Sequence, residues 1–211
     1  MSKRIGLLGG TFNPIHLGHT ALAQNVFSDF KLDELILIPV KLPPHKDVSG
    51  ATALQRYEMA KLTANLLGEG FSVSDYELKT GGISYSYSTI SHWSKENPEA
   101  ALFFIAGSDI FATIKTWQKW REIFGISNFI VANRMEMPFD TMLDIIPEEL
   151  RGRVIWHKKY DGKPSGKIIL YEMDIVSVSS TKIRGHTSIS ECRKMLPEDV
   201  YSYIINNNLY Q

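Results

Sequence analysis

Gly9-Gly10-Thr11-Phe12-Asn13-Pro14-Ile15-His16-Leu17-Gly18-His19 is the stretch that decides how this chain folds. It follows an apolar run, residues 5–8, that reads as a buried first strand. It precedes Ala21, Leu22 and Val26 at helical spacing, so it is a strand-to-helix loop. Gly9 and Gly10 let the backbone approach a ligand closely, and Asn13-Pro14 supplies a helix cap and a fixed φ as the helix begins. The unpaired N–H groups of such a helix start attract anions. His16 and His19 are three residues apart, so they share a helical face and point back toward that anion. The stretch reads as a polyphosphate cradle. Two blander readings are a helix start with solvated histidines and a histidine pair on a structural metal, although no cysteine or acidic third ligand stands nearby.

Composition narrows the partners. With 211 residues the chain can build one sizeable core, and one domain spanning 1–211 is the default reading. Lys plus Arg and Asp plus Glu both number 23, so net charge is zero and no global field draws nucleic acid or an anionic membrane. An anion site must be local. The lone Cys192 excludes an internal disulfide, Met1-Ser2-Lys3-Arg4 leads straight into a strand without signal-peptide features, and the apolar runs are too short to span a bilayer. These features point to a cytoplasmic protein with neither membrane nor nucleic-acid partners. The oligomeric state is left open, a homo-oligomer included.

Further elements follow in alternation. Residues 34–40 read as a second buried strand, followed by the basic, proline-containing loop 41–47. Thr52 and Gln55 form a capping box for a helix over 52–67, with Leu54, Tyr57, Ala60, Ala64 and Leu67 as its apolar stripe; Arg56 sits on this helix, where a surface arginine is ordinarily solvated. Residues 71–78 read as a strand, and the hydroxyl-rich segment 84–90 as a helix start. The most strand-like run, 101–106, ends in Gly107-Ser108-Asp109. A carboxylate just beyond such a strand is where open α/β sheets bind ligands. Residues 128–132 form another expected strand ending near Arg134, 140–150 a short amphipathic helix, and 154–157 and 168–173 two strands. Between these two strands, Gly162-Lys163-Pro164-Ser165-Gly166-Lys167 has three residues between its glycines where a Walker A loop has four, and is expected to be a surface hairpin. Ser179-Ser180-Thr181-Lys182-Ile183-Arg184 opens a helix with hydroxyls and places a guanidinium one turn along, and 197–209 reads as a last helix with Pro197 at its first position. The whole predicts an α/β fold, a doubly wound parallel sheet of Rossmann-like type.

The opening segment resembles the HxGH signature of nucleotidyltransferases, and its GGTFxPIHxGH form resembles that of bacterial nicotinate-nucleotide adenylyltransferases. Pro43-Pro44-His45-Lys46, Arg56 with Met59, Ser84 to Ile90, Gly107-Ser108-Asp109, Trp117 and Ser179 to Arg184 resemble further elements of that family, so the likeness spans almost the whole chain. It implies transfer of an adenylyl group from ATP to nicotinate mononucleotide, giving the dinucleotide and pyrophosphate in NAD biosynthesis. It implies catalytic roles for His16, His19 and Arg184 and ATP contacts from Gly9, Gly10, Thr11, Phe12, Lys46, Ser179 and Ser180. Ser86, Thr89, Asp109, Trp117 and Arg134 would receive the pyridine nucleotide. Mg²⁺ would be held by phosphates rather than by a protein site.

Such a reaction suits these residues, because a phosphate monoester is largely dianionic at neutral pH and needs placement and charge compensation more than a base. Nicotinamide mononucleotide or phosphopantetheine is the alternative acceptor, and a non-catalytic nucleotide-binding module the alternative class. A dehydrogenase fits poorly, because Gly6-x-x-Gly9-Gly10 is not G-x-G-x-x-G and Pro39 stands where an acidic residue would.

Overall fold

A computed structural model describes residues 2–43, 50–133, 139–157, 160, 162–174, 176–186 and 188–210. Seven strands form one sheet in the order β3-β2-β1-β4-β5-β7-β6: β1 (Arg4–Gly10), β2 (Glu34–Pro39), β3 (Phe71–Val73), β4 (Ala101–Gly107), β5 (Asn128–Ala132), β6 (Val154–Trp156) and β7 (Ile168–Tyr171). Every neighbouring pair is parallel. The order reverses between β1 and β4, and the crevice there is where doubly wound sheets bind their ligands.

Alternation along the strands feeds two cores, which is why the strands read as unbroken apolar runs. Leu8, Leu35, Leu37, Phe103 and Ile105 pack on one face with Val26 of α1 (Leu17–Asp29), Met59 and Ala60 of α2 (Ala53–Leu67), and Val200 and Ile204 of α8 (Glu198–Asn206). Ile5, Leu7, Ile36, Leu102 and Phe104 pack on the other with Ile90 of α4 (Ser86–Glu96), Phe111 of α5 (Ser108–Phe111) and Ile123 of α6 (Trp120–Ile123).

Several local expectations are corrected. Segment 71–78 is a strand for three residues only, because Ser74 and Asp75 turn the chain into α3 (Tyr76–Lys79). Segment 140–150 forms 3₁₀ turns, Phe139–Leu143 and Glu148–Arg153, rather than one amphipathic helix. Gly162–Lys167 is not a hairpin, since β6 and β7 run parallel and the segment belongs to a crossover. Asn128 anchors it: Nδ2 donates to the Lys163 and Pro164 carbonyls, and Oδ1 accepts from Lys167 N. Pro197 caps α8 instead of opening it. The buried face of α2 is Arg56, Met59, Ala60, Thr63 and Ala64, while Leu54 is 62% exposed. Thr52 and Gln55 do form the expected capping box.

Candidate active site

The register aligns Gly10 with Pro39 and Gly107 with Ala132, so the loops leaving β1, β2, β4 and β5 gather along one carboxyl edge. The loop after β1 carries the histidines, and its helix does not start at Asn13. Helix α1 begins at Leu17 with His16 as its N-cap. His16 Nδ1 accepts from Gly18 N at 3.2 Å, and His19 Nδ1 accepts from His16 N at 3.3 Å. This is a reciprocal capping box in which two imidazoles do what a hydroxyl and a carboxylate usually do, and it explains their separation of three residues.

Because each Nδ1 accepts a backbone N–H, a neutral ring carries its proton on Nε2. The rings lie 3.8 Å apart at 37°, with Phe12 edge-on to His19 at 5.1 Å. His16 is 1% exposed and His19 half-buried. Gly18 fits the same geometry closely, since a Cβ there would stand 3.0 Å from His16 Cε1. A Cβ on Gly10 would come within 2.6 Å of the Phe12 ring, and Phe12 itself has φ of 49°.

Three carbonyls of this loop are held by distant side chains. Arg56 Nη1 of α2 donates to Thr11 O at 2.7 Å. Arg184 Nη1, on α7 (Ser180–Arg184), donates to Asn13 O at 2.5 Å, and Ser180 Oγ donates to Pro14 O at 2.9 Å. Ser179 caps α7 by accepting from Lys182 N. The side chain of Asn13, expected to cap α1, instead accepts from the Tyr210 hydroxyl at 2.6 Å. The second signature is therefore fastened directly onto the first, and both histidines, Gly9, Gly10, Thr11, Phe12, Ser179, Ser180 and Arg184 come together.

A second group lies across the β1–β4 crevice. Asp109 stands exposed in the first turn of α5, directly after β4. Trp117 is half-buried, donates from Nε1 to Thr113 Oγ1, and meets Phe104 edge-on at 5.8 Å. Phe104 Cζ lies 3.2 Å from where a Gly9 Cβ would be, so one phenyl ring links the tryptophan to the glycine loop. Lys119 lies over the Tyr87 ring at 4.7 Å and joins this turn to α4, whose first residue is Ser86. Thr89 is 2% exposed, and its hydroxyl donates to Glu77 Oε1 at 2.6 Å, so it faces a buried carboxylate. Lys46 and Arg134 lie outside the described residues. Among the described residues no group of three or more His, Cys, Asp and Glu side chains is arranged to hold a metal, and no helix is long and apolar enough to cross a membrane.

Glu77 and Tyr210 are what sequence reasoning missed, and for Arg56, which the family resemblance matches, it missed the burial. Arg56 is 1% exposed rather than solvated, and burial lowers its pKa while nearby Tyr210 and Glu77 oppose that shift. Burial raises the Glu77 pKa, and its hydrogen bond from Thr89 counters the rise. The available signal was the spacing of Arg56 with Met59, Ala60 and Thr63, which puts an arginine on the core face of α2.

Residues 7–186 match the cytidylyltransferase-like family. A protein of Clostridium botulinum named a probable nicotinate-nucleotide adenylyltransferase is 36% identical over 209 residues, 97% of this chain and 98% of its own length. The chain belongs to the nicotinate-nucleotide adenylyltransferase family. A member from a Geobacter species is also 36% identical, with 98% of each chain covered. The Plasmodium falciparum nicotinic acid mononucleotide adenylyltransferase, solved in complex with NaAD, superposes with a TM-score of 0.75 over 99% of this chain and 97% of its own, at 18% identity. At that identity the likeness speaks for the fold, the same parallel sheet that gathers the family's motif residues here at one edge.

Proposed function

We propose that this protein joins ATP and nicotinate mononucleotide to give nicotinate adenine dinucleotide and pyrophosphate. The observation that carries the reading is the fastening of Arg184 and Ser180 onto the carbonyls of Asn13 and Pro14 beside the paired imidazoles, which gathers cationic and N–H donors around one loop. The family's named activity supports the choice of substrates.

In the proposed reaction a phosphate oxygen of the mononucleotide attacks the α-phosphorus of ATP in line. The new O–P bond forms as the bond to the bridging α–β oxygen breaks, and that electron pair leaves with pyrophosphate. No general base is needed, because the attacking phosphate is already mostly dianionic at neutral pH. His19 is assigned to the α-phosphate and His16 to the phosphates beside it, each donating from Nε2–H. Arg184 would exchange the Asn13 carbonyl for the charge developing on pyrophosphate, together with Lys46, which the family resemblance assigns. Mg²⁺ bound with ATP would supply further positive charge against the phosphates, beside that of Arg184 and Lys46.

Trp117 offers the face of an indole to an electron-poor pyridinium ring, supported from beneath by Phe104. Ser86 and the backbone at the start of α4 are assigned to the ring's carboxylate, with Asp109 and Arg134 beside the nucleotide. Thr89, its hydroxyl committed to Glu77, would hold α4 in place there rather than touch the nucleotide. A cytoplasmic location accords with this use of ATP.

The test is to incubate the protein with MgATP and nicotinate mononucleotide and to follow both products. Equal amounts of pyrophosphate and of a dinucleotide with the mass of nicotinate adenine dinucleotide are expected. ATP consumed without that dinucleotide would contradict the reading.

A further inference from the structure

Arg56 has the charge of a phosphate ligand but not the surroundings of one. Its guanidinium donates from Nη1 to the carbonyls of Thr11 and Val40, at 2.7 and 2.5 Å, and from Nη2 to the Lys41 carbonyl at 3.0 Å. With the residue only 1% exposed, both terminal nitrogens are committed to backbone acceptors. Those acceptors are not scattered. Thr11 belongs to the loop after β1 that carries the histidines, while Val40 and Lys41 open the loop after β2. Val40 N also donates to Gly10 O at 2.9 Å, so the two loops are joined by their own backbone at the place where the guanidinium spans them.

The network extends to the acceptor side. Ser84 Oγ accepts from Lys41 N at 3.2 Å, and Ser84 N donates to Leu42 O at 3.0 Å, which fixes the segment before α4 against the loop after β2. Glu77, 7% exposed, holds Thr89 of α4 at 2.6 Å and acts electrostatically on Arg56. A guanidinium suits such a position because its planar fork can satisfy several acceptors at once while keeping its charge. An ammonium is a compact point charge and cannot span both loops in the same way.

We propose that Arg56 is a positioning residue that binds neither substrate but clamps the histidine loop to the loop after β2, and through Glu77 and Thr89 to α4, so that the ATP and acceptor sites are set as one unit. The inference rests on the adenylyltransferase reading for what the loops bind. It makes Arg56 act on turnover through the carbonyls of Thr11, Val40 and Lys41.

The test compares Arg56→Lys and Arg56→Met with the unaltered protein. Thermal unfolding gives the folded fraction, calorimetry gives the affinity for α,β-methylene-ATP, and steady-state kinetics give kcat and both KM values. Per folded molecule, Arg56→Lys is expected to lose at least tenfold in kcat, with KM for each substrate changing less. Arg56→Met is expected to lose at least tenfold in affinity for the ATP analogue. Should Arg56→Met not fold, Arg56→Lys decides alone. Folded variants that keep kcat and analogue affinity within twofold would overturn the inference while leaving the adenylyltransferase reading intact. An unaltered protein that turns over no acceptor, with variants that still lose analogue affinity, would overturn that reading and uphold the role of Arg56.

Discussion

The Tyr210 hydroxyl donates to Asn13 Oδ1 at 2.6 Å, joining residues 197 positions apart in the sequence. Tyr210 also packs where a Cβ on Gly50 would stand, 2.8 Å from its ring, and its pKa is raised well above the usual phenol value, chiefly by burial. It therefore stays a neutral donor. Asn13 is thus held twice, by Tyr210 through its side chain and by Arg184 through its carbonyl, so the tail following α8 takes part in fixing the phosphate loop. Tyr210→Phe should lower stability by about 1 kcal/mol, the usual worth of one hydrogen bond. It should also raise KM for ATP severalfold while leaving KM for the pyridine nucleotide within twofold. Thermal unfolding and initial-rate kinetics on the variant check both parts.

The two histidines should separate by role. His19→Ala is expected to lower kcat by ~10² to 10³, the loss of one preorganised donor, with a smaller change in KM for ATP. His16→Ala should lower kcat as well and destabilise α1 by about 1 kcal/mol, because His16 is its N-cap. Asparagine is also a good N-cap, so His16→Asn should restore the melting temperature without restoring kcat. Recovery of both would mean that His16 only caps.

Gly18→Ala tests the same box from the backbone side. The added Cβ would lie 3.0 Å from His16 Cε1 and 3.1 Å from its Nδ1, so the imidazole must shift by a few tenths of an ångström. Small displacements in a reacting geometry are costly, and a fall in kcat of about 10-fold to 10²-fold is expected without any change of charge. Steady-state kinetics read it directly.

Glu77 gives a pH signature. Burial raises its pKa above the ordinary 4.5, so the folded protein binds this proton more tightly than the unfolded chain does. Its contribution therefore favours the folded state at low pH and is lost as pH rises through the folded value. Relative to Glu77→Gln, the unaltered protein should lose stability as pH is raised above 4.5. Urea unfolding of both proteins across that range measures the difference. A gap that stays constant with pH would show that Glu77 titrates as it does in the unfolded chain.

Trp117→Ala should raise KM for the pyridine nucleotide at least fivefold and leave KM for ATP nearly unchanged, because base–aromatic stacking contributes about 1–3 kcal/mol. Initial rates with each substrate varied in turn distinguish the two effects.

Much of this was legible in the sequence, for identifiable reasons. Residues 101–107 are fully buried, and a strand covered on both faces must be apolar throughout, so its run was unmistakable. The carboxyl-edge positions of Gly9, Gly10 and Asp109 follow from where their strands end. The helix start at His16 was less visible, since histidines seldom cap and Asn13-Pro14 offered a more familiar signal. The burial of Arg56 was not legible because charge ordinarily means solvent, and only the three carbonyls that gather around it in the fold reverse that rule. The parallel pairing of β6 with β7 is a tertiary choice, fixed in part by the Asn128 side chain, which local turn chemistry at Gly162 and Gly166 does not encode. Tyr210 meets Asn13 only after the whole sheet has formed.

The most direct measurement is pyrophosphate release from MgATP with nicotinate mononucleotide, nicotinamide mononucleotide and phosphopantetheine supplied in separate reactions. A kcat/KM for nicotinate mononucleotide at least tenfold above either alternative is predicted. Release with none of the three, from a protein that still binds ATP, would contradict the account.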